Sequence, residues 1–295
     1  MRGELVKVIT ADGLELKGFF SDKKSDLAVF HSHGTAGDFY THEFVEVEGE
    51  KLAKEKISFL TANNRGHDVY ADIRKHTNGK VGWTQIGGGF EKFEDCLHDI
   101  DAWINFLIGM GVKKIILQGH SLGPNKNIYY QVKNTNKSVR GFIHLSPQND
   151  AGLMKFKLGG KKYQEVNQMI KGMLENNREQ EILIKELQEL CLISALAYSG
   201  YFIENGVGSL FPYHNSNNPN WKVFSAIRER QLIIFGEKDP YIKPSVNEAI
   251  KVFLSKVHEK INLKTKIIKG ASHNYIGYEK ELVKIIFNWI KENYL

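Results

Sequence analysis

A serine stands at the centre of the pentapeptide GHSLG, residues 119–123. The pentapeptide directly follows the apolar run KKIILQ and precedes a segment with helical spacing. A serine at a sharp strand-to-helix turn presents its hydroxyl at the edge of a sheet, and flanking glycines let the chain bend and the helix approach. The pattern therefore predicts that Ser121 is a nucleophile, although a purely structural turn stays open from these five residues alone.

A serine hydroxyl becomes a useful nucleophile when a neighbouring base removes its proton, and an acid must hold that base in place. His273 in the segment GASHN and Asp239 in the segment GEKDP each follow a short apolar run of strand type. Loops after the carboxyl ends of parallel strands lie at one edge of a sheet. We therefore predict that Ser121, Asp239 and His273 converge as nucleophile, acid and base.

Two other carboxylates compete with Asp239 for the role of the acid. Glu237 lies two residues before it in the same segment. Asp150 ends the segment SPQND, which follows an earlier run of strand type. The sequence leaves open whether Asp150 or Glu237 replaces Asp239.

Acyl transfer also needs a site for the negative charge that develops on the carbonyl oxygen, and each fixed backbone N–H group there contributes about 3 kcal/mol. The N–H group of Leu122, directly after the serine, is one predicted donor. The segment HSHGTAG, residues 31–37, supplies the other, and Thr35 is the preferred residue in it. A metal pair at His31 and His33 is the alternative, but no further ligand cluster accompanies them, so we predict no metal.

The elements that must position these groups alternate along the chain. The predicted strands lie at 5–9, 14–20, 27–30, 57–62, 113–118, 139–145, 230–235 and 263–268, and the predicted helices lie at 44–56, 91–110, 122–132, 244–257 and 278–293. Strand–helix–strand units connect parallel strands through right-handed crossovers. The predicted fold class is therefore α/β, with a mostly parallel sheet sandwiched by helices.

The alternation stops between residues 148 and 227, where a helical stretch at 163–197, broken near Asn176-Asn177, and a turn-rich segment replace it. We predict an α/β core formed by residues 1–147 and 228–295, with 148–227 as an inserted helical cap. An apolar stripe at helical spacing in this cap faces either the core or an acyl pocket. The stripe consists of Met169, Met173, Ile182, Leu183, Leu187 and Leu190.

Composition and charge exclude several classes of protein. The chain has 295 residues, of which 42% are hydrophobic, and this excludes a disordered or fibrous protein. The formal net charge of +6 is mild, and no basic stripe with interleaved aromatic residues occurs, so we expect no nucleic-acid partner. The two distant cysteines, the lack of a signal peptide and the lack of a long apolar run predict a cytoplasmic protein without a membrane partner.

Five segments, HSHGTAG, NNRGH, GHSLG, GEKDP and GASHN, together resemble the α/β-hydrolase superfamily. The resemblance covers about 1–147 and 228–295 and leaves the predicted cap uncovered. More narrowly, the run FEDCLHDIDAWINFL resembles a little-characterised group of serine-hydrolase-like proteins with siderophore-associated and fungal relatives. One departure is Pro124 directly after the pentapeptide, a position in the first helical turn where proline is tolerated.

The resemblance implies the α/β-hydrolase fold and a serine hydrolase of the carboxylesterase type. The residues it implies are the nucleophile Ser121, the acid Asp239, the base His273 and the oxyanion donors Thr35 and Leu122. We expect cleavage of an ester, or of an amide or thioester, in a small-molecule acyl substrate through an acyl-serine intermediate, without a cofactor. An acyltransferase with the same triad and a non-catalytic ligand-binding module with the same fold are the alternatives. The sequence indicates neither the substrate nor the oligomeric state.

Overall fold

Strands and helices alternate along the computed structural model, which describes residues 1–258 and 263–295; residues 259–262, inside the predicted core segment 228–295, lie outside the described part. The strands are β1 (Glu4–Ile9), β2 (Glu15–Ser21), β3 (Leu27–Ser32), β4 (Ser58–Ala62), β5 (Ala71–Thr77), β6 (Lys80–Ile86), β7 (Lys114–His120), β8 (Val139–Leu145), β9 (Arg230–Gly236) and β10 (Leu263–Ile268). The helices are α1 (Glu43–Lys54), α2 (Cys96–Gly109), α3 (Gly123–Asn134), α4 (Asp150–Leu158), α5 (Gly160–Glu175), α6 (Ala195–Tyr201), α7 (Trp221–Ala226), α8 (Val246–Lys256) and α9 (Glu279–Tyr294).

Eight of these strands form one sheet in the order β1-β2-β4-β3-β7-β8-β9-β10. The neighbours from β4 to β10 are parallel, whereas β1 and β2 pair antiparallel at one end. Strands β3, β7, β8 and β9 are almost entirely buried, as expected for strands that helices cover on both faces. The predicted α/β fold class is therefore confirmed.

The alternation of side chains along β3 shows how the two faces of the sheet are covered. Leu27 and Val29 join a core with residues of α1 and α9, whereas Ala28 and Phe30 join a core with residues of α2, α3 and α8. Side chains of successive residues point to opposite faces of a strand, so both faces are dry. The central strands are thereby fixed, and so is the edge at which their carboxyl ends lie.

The segment between β8 and β9 contains the four helices α4 to α7, and it differs in detail from the prediction. The predicted break near Asn176-Asn177 agrees with the end of α5 at Glu175, whereas the helix predicted between this break and residue 194 is wrong. Residues 176–194 contain one short 3₁₀ turn, Lys185–Leu187, before α6 begins. Asn177 has a left-handed backbone with φ 56°, a conformation that a continuing right-handed helix does not allow.

The predicted apolar stripe of this segment is divided among different surroundings. Met173, Leu183 and Leu187 are buried in the core that also contains α2 and α3, whereas Met169 and Ile182 are exposed. The segment therefore packs onto the sheet's own core, and the boundary between core and cap at 148–227 stays a prediction. Among the described helices, none is long and apolar enough to cross a membrane.

An antiparallel hairpin, β5–β6, lies between β4 and α2 and was not among the predicted elements. Its turn is Asn78-Gly79, with positive φ angles of 51° and 76° at the two residues. Asn-Gly is the dipeptide typical of two-residue hairpin turns because both positions need a positive φ. A local signal for the hairpin was therefore present, but the strands it joins are polar and mostly exposed.

A buried arginine, Arg65 of the segment NNRGH, ties the loop after β4 to two other parts of the chain. Its guanidinium Nη2 lies 2.9 Å from Asp99 Oδ1 in α2, and its Nη1 lies 2.9 Å from Asp12 Oδ2 in the β1–β2 turn. Its backbone N–H donates to Asp99 Oδ2 at 2.8 Å. Since the side chain is 2% exposed and its fork is occupied, Arg65 holds the fold and does not face a substrate.

Replacing Asp99 by asparagine should therefore destabilise the protein. Asp99→Asn leaves a buried guanidinium short of a charged partner, and we expect the free energy of unfolding to fall by about 3 kcal/mol in urea denaturation. The exposed pair Lys171–Glu175 offers a control, because Glu175→Gln should change the same quantity by no more than about 0.5 kcal/mol. Equal effects of the two substitutions would contradict the role assigned to Arg65.

A second buried group is the carboxyl of Glu48 in α1. Gln118 Nε2 in β7 donates to Glu48 Oε2 at 2.7 Å and to His31 Nδ1 at 3.0 Å. Burial raises the pKa of Glu48 from its ordinary value of 4.5 to about 8, although the bond from Gln118 opposes this. Between these two pH values the folded chain binds a proton that the unfolded chain has released. The contribution of the protonated Glu48 carboxyl to the free energy of unfolding is therefore complete below pH 4.5 and is lost as the pH rises through 8.

The variant Glu48→Gln keeps the shape of the side chain and cannot ionise. We expect its free energy of unfolding to exceed that of the parent by at least about 1 kcal/mol at pH 8, and the difference to shrink toward zero near pH 4.5. Urea denaturation of both proteins at pH 5, 6.5 and 8 measures it. Glu165→Gln, on an exposed position of α5, serves as the control and should show no such trend. A constant difference across this range would contradict the prediction.

Candidate active site

The serine of the pentapeptide lies on a strained turn between β7 and α3. Ser121 has φ 60°, a left-handed conformation that is costly for a residue with a side chain. Its N–H donates to Leu145 O in β8 at 2.9 Å, which fixes the turn to the neighbouring strand. A Cβ atom at Gly119 would lie 2.4 Å from the backbone N of Pro124, so the turn can close only with glycine there. Pro124 itself lies in the first turn of α3, as expected.

The loop after β3 passes directly against the serine. A Cβ atom at Gly34 would lie 2.6 Å from Ser121 Cβ and 3.0 Å from Ser121 Oγ. Next to this contact, the N–H groups of Thr35 and Leu122 make no hydrogen bond within the described part of the chain. These two N–H groups are the donors predicted for an oxyanion, and their role stays a prediction.

The two histidines considered as a metal pair are held by other groups of the protein. His31 Nδ1 accepts from Gln118, and His33 Nε2 accepts from the backbone N–H of Asn64 at 3.1 Å. His33 Nδ1 donates to Gly34 O at 2.8 Å. Burial lowers the pKa of His31 to about 3 and that of His33 well below its ordinary value. Both rings are therefore neutral at physiological pH, and His33 anchors the loop that contacts the serine.

Asp239 and His273 come together from the loops after β9 and β10. His273 Nδ1 donates to Asp239 Oδ2 at 2.7 Å, and the Asp239 side chain is fully buried. The other carboxylate oxygen, Oδ1, accepts the N–H of Tyr241 at 3.0 Å. His120 Nε2 donates to the backbone carbonyl of His273 at 2.9 Å. The carboxylate thus orients the imidazole and leaves its Nε2 as the nitrogen that is open to proton transfer.

The other two carboxylates do not contact the imidazole. Glu237 Oε2 accepts the N–H of Gly270 at 2.9 Å on the exposed side of the same loops. Both carboxyl oxygens of Asp150 are buried without a hydrogen-bond partner among the described residues. Burial raises the pKa of Asp150 well above its ordinary value, which favours the neutral form of this group. Among the three candidates, the geometry therefore favours Asp239 as the partner of His273.

Ser121 and His273 line the same cavity, which has a volume of about 300 Å³. The Ser121 hydroxyl donates to the side-chain oxygen Oε1 of Gln148 at 2.5 Å, and among the described residues it has no hydrogen bond to His273. The hydroxyl must therefore turn away from Gln148 before its proton can reach the imidazole. Thr35 also lines this cavity, so three of the five residues of the predicted site border it, and Asp239 is hydrogen-bonded to one of the three, His273.

Gln148 contacts Ser121 and was not among the residues predicted from the sequence. Its backbone N–H donates to Ser121 O at 3.1 Å, in addition to the contact through its side chain. It belongs to the segment SPQND, which was singled out for Asp150 instead. The signal was topological: β8 is the parallel neighbour of β7, so the first residues after β8 must adjoin the turn at Ser121.

Solved structures of other proteins share this architecture. An esterase from Pyrococcus furiosus, Pf2001, aligns with a TM-score of 0.63 and 17% identity over 99% of this chain and 91% of that chain. Est1E from Butyrivibrio proteoclasticus, with ferulic acid bound, aligns with a TM-score of 0.67 and 16% identity over 97% and 98%. An α/β-hydrolase fold protein of unknown function aligns with a TM-score of 0.69 and 15% identity over 99% and 96%. Likeness at this level of identity establishes the fold.

Comparison with curated protein sequences finds no match. The sequence model of one family matches residues 82–292, which contain the turn at Ser121 and the loops of Asp239 and His273. The chain therefore has the α/β-hydrolase fold and belongs to the family described as "Protein of unknown function (DUF1749)".

Proposed function

We propose that this protein is a serine hydrolase that cleaves a carboxylic ester of a small molecule through an acyl-serine intermediate. The observation that carries the proposal is the left-handed turn of Ser121 in the same cavity as His273, whose Nδ1 lies 2.7 Å from the buried carboxylate of Asp239. The structural neighbour Pf2001 is named as an esterase, which agrees with this reaction class. The two cysteines are free thiols, which fits the expected cytoplasmic location.

In the first half of the reaction, the hydroxyl of Ser121 turns from Gln148 toward His273. The imidazole Nε2 takes the proton as Oγ attacks the carbonyl carbon, and Asp239 stabilises the imidazolium that forms. The carbonyl oxygen becomes an oxyanion, to which the N–H groups of Thr35 and Leu122 donate. The bond to the leaving alcohol then breaks, and His273 returns the proton to that alcohol.

In the second half, a water molecule replaces the alcohol. His273 takes a proton from the water as its oxygen attacks the acyl carbon, and the same two N–H groups hold the oxyanion. The bond to Ser121 Oγ then breaks, the proton returns to the serine, and the carboxylic acid leaves. No group outside the chain is needed to balance these steps apart from the ester and water.

A ligand-binding module without turnover is the second candidate, and one observation favours it. The Ser121 hydroxyl is bonded to Gln148 at 2.5 Å and not to the imidazole, so the arrangement described here is not yet reactive. Catalytic hydrogen bonds in proteins without substrate are often long or absent and form in the complex. The two candidates differ in whether the hydroxyl reacts with an activated phosphonate.

Exposure to a fluorophosphonate should label the protein once, and mass spectrometry should place the label on Ser121. With p-nitrophenyl acetate, Ser121→Ala should lower kcat by at least about a thousandfold, because the nucleophile is gone while the fold stays. Ser146→Ala provides a matched control, since that hydroxyl is bonded to Tyr275 instead of lying at the turn. If the wild-type protein reacts with neither the fluorophosphonate nor p-nitrophenyl acetate, the result would support the ligand-binding module.

The assignment of the acid is tested by three substitutions. Asp239→Asn should lower kcat by about a thousandfold or more, because the amide no longer holds the imidazole in the required tautomer. Asp150→Asn and Glu237→Gln should each stay within about tenfold of the parent, since neither group contacts His273. A larger loss in Asp150→Asn than in Asp239→Asn, with both variants folded by circular dichroism, would overturn the assignment.

A further inference from the structure

Two hydrogen-bonding groups of the cavity have no partner among the described residues. They are the side-chain nitrogen Nε2 of Gln148 and the hydroxyl Oγ1 of Thr35, and both atoms are buried. Buried polar groups in folded proteins nearly always form hydrogen bonds, because leaving them without one costs free energy. These two donors therefore need an acceptor that the described chain does not supply.

The free nitrogen of Gln148 lies close to the reaction centre. Its sister atom Oε1 is 2.5 Å from Ser121 Oγ. Because the two atoms share one planar amide carbon, Nε2 is no more than about 4.7 Å from Oγ. A carbonyl carbon bonded to Oγ in the acyl-serine thus brings its own substituents within reach of Nε2. Thr35 follows Gly34, at which a Cβ atom would lie 3.0 Å from Ser121 Oγ, and it lines the same cavity as Ser121 and Gln148.

The remaining lining of the cavity suits a small polar group better than a long hydrocarbon chain. Asp38, Thr41, His42 and Asn274 contribute polar side chains, whereas Leu190 is the largest aliphatic side chain of the lining. A cavity of about 300 Å³ is also at the small end for a ligand site. The Thr41 hydroxyl already donates to Asp38 Oδ2 at 2.6 Å, so it is not free in the way that the Thr35 hydroxyl is.

We infer that the acyl group of the substrate carries an oxygen atom one or two carbons from the scissile carbonyl, as in an alkoxy- or hydroxyacyl ester, and that Gln148 and Thr35 bind this oxygen. An ether or hydroxyl oxygen has two lone pairs and accepts from both donors. A methylene group in its place leaves both donors buried and unpaired, which is how a polar site rejects an apolar analogue. The inference rests on the proposed function and adds the substrate class to it.

The test compares two p-nitrophenyl esters of equal length, the methoxyacetate and the butyrate, in which an oxygen replaces one methylene group. The measured quantity is the ratio of their kcat/KM values in each protein. Comparing this ratio between variants cancels the greater intrinsic reactivity of the methoxyacetate. We expect the ratio to fall about tenfold in Gln148→Met, which keeps the length and loses the donor, and about tenfold in Thr35→Val, which keeps the backbone N–H.

Thr41→Val is the matched control, because it makes the same change in the same cavity at a hydroxyl that is already bonded. Its ratio should stay within about twofold of the wild-type value. If kcat/KM falls equally for both esters in Gln148→Met and in Thr35→Val, the inference is overturned, since the two side chains would then not distinguish an oxygen from a methylene group. A fall of the ratio in Thr41→Val as large as in Thr35→Val would overturn it as well.

Labelling by a fluorophosphonate separates this inference from the proposed function. If the wild-type protein is labelled at Ser121 and hydrolyses both esters but the ratios do not change, the inference fails alone. If it neither reacts with the phosphonate nor hydrolyses either ester, both fail. Thr35→Val and Gln148→Met lie in different loops, so a folding defect in one variant leaves the other to decide the question, with the melting temperature recorded for each.

Discussion

The site depends on the left-handed turn at Ser121, which requires the chain to reverse between β7 and α3 within a few residues. The turn is possible because Gly119 has no side chain to clash with the backbone of α3. Gly34, which also has none, lets the neighbouring loop pack against the serine. Such strain persists only where the surroundings fix the backbone firmly. Here the parallel neighbours β3 and β8 do so, through the register of the sheet and the bond from Ser121 N–H to β8.

A chain of buried polar contacts transmits this rigidity to the loop after β3. Lys126, in the first turns of α3, contacts both carboxylate oxygens of Glu91 at 2.7 and 2.8 Å and Asn64 Oδ1 at 3.0 Å. The backbone N–H of Asn64 in turn holds His33, whose ring bonds to Gly34. The start of α3, the loop after β3 and the turn at Ser121 are therefore connected through buried polar groups.

The sequence was sufficient for the parts of this arrangement that depend on burial and on chain order. Continuous apolar runs predicted the central strands, and the order of Ser121, Asp239 and His273 predicted which loops meet. Other features lack a clear local pattern or have one that the fold overrides. The exposed hairpin β5–β6 has little hydrophobic periodicity apart from its Asn-Gly turn, and residues 178–194 have apolar residues at helical spacing but form only a short 3₁₀ turn. Gln148 could be placed next to the serine only once β8 was known to pair with β7.

The long connection between β8 and β9 has a further consequence for the cavity. The two strands are adjacent and parallel, so a short crossover would suffice to join them, yet four helices occupy the path. The ladder fixes where the chain leaves and where it returns, whatever happens in between. Gln148 and Leu190 of this connection line the cavity, so insertions or deletions within it can reshape the chamber while Ser121 and His273, which follow strands of the sheet, keep their places.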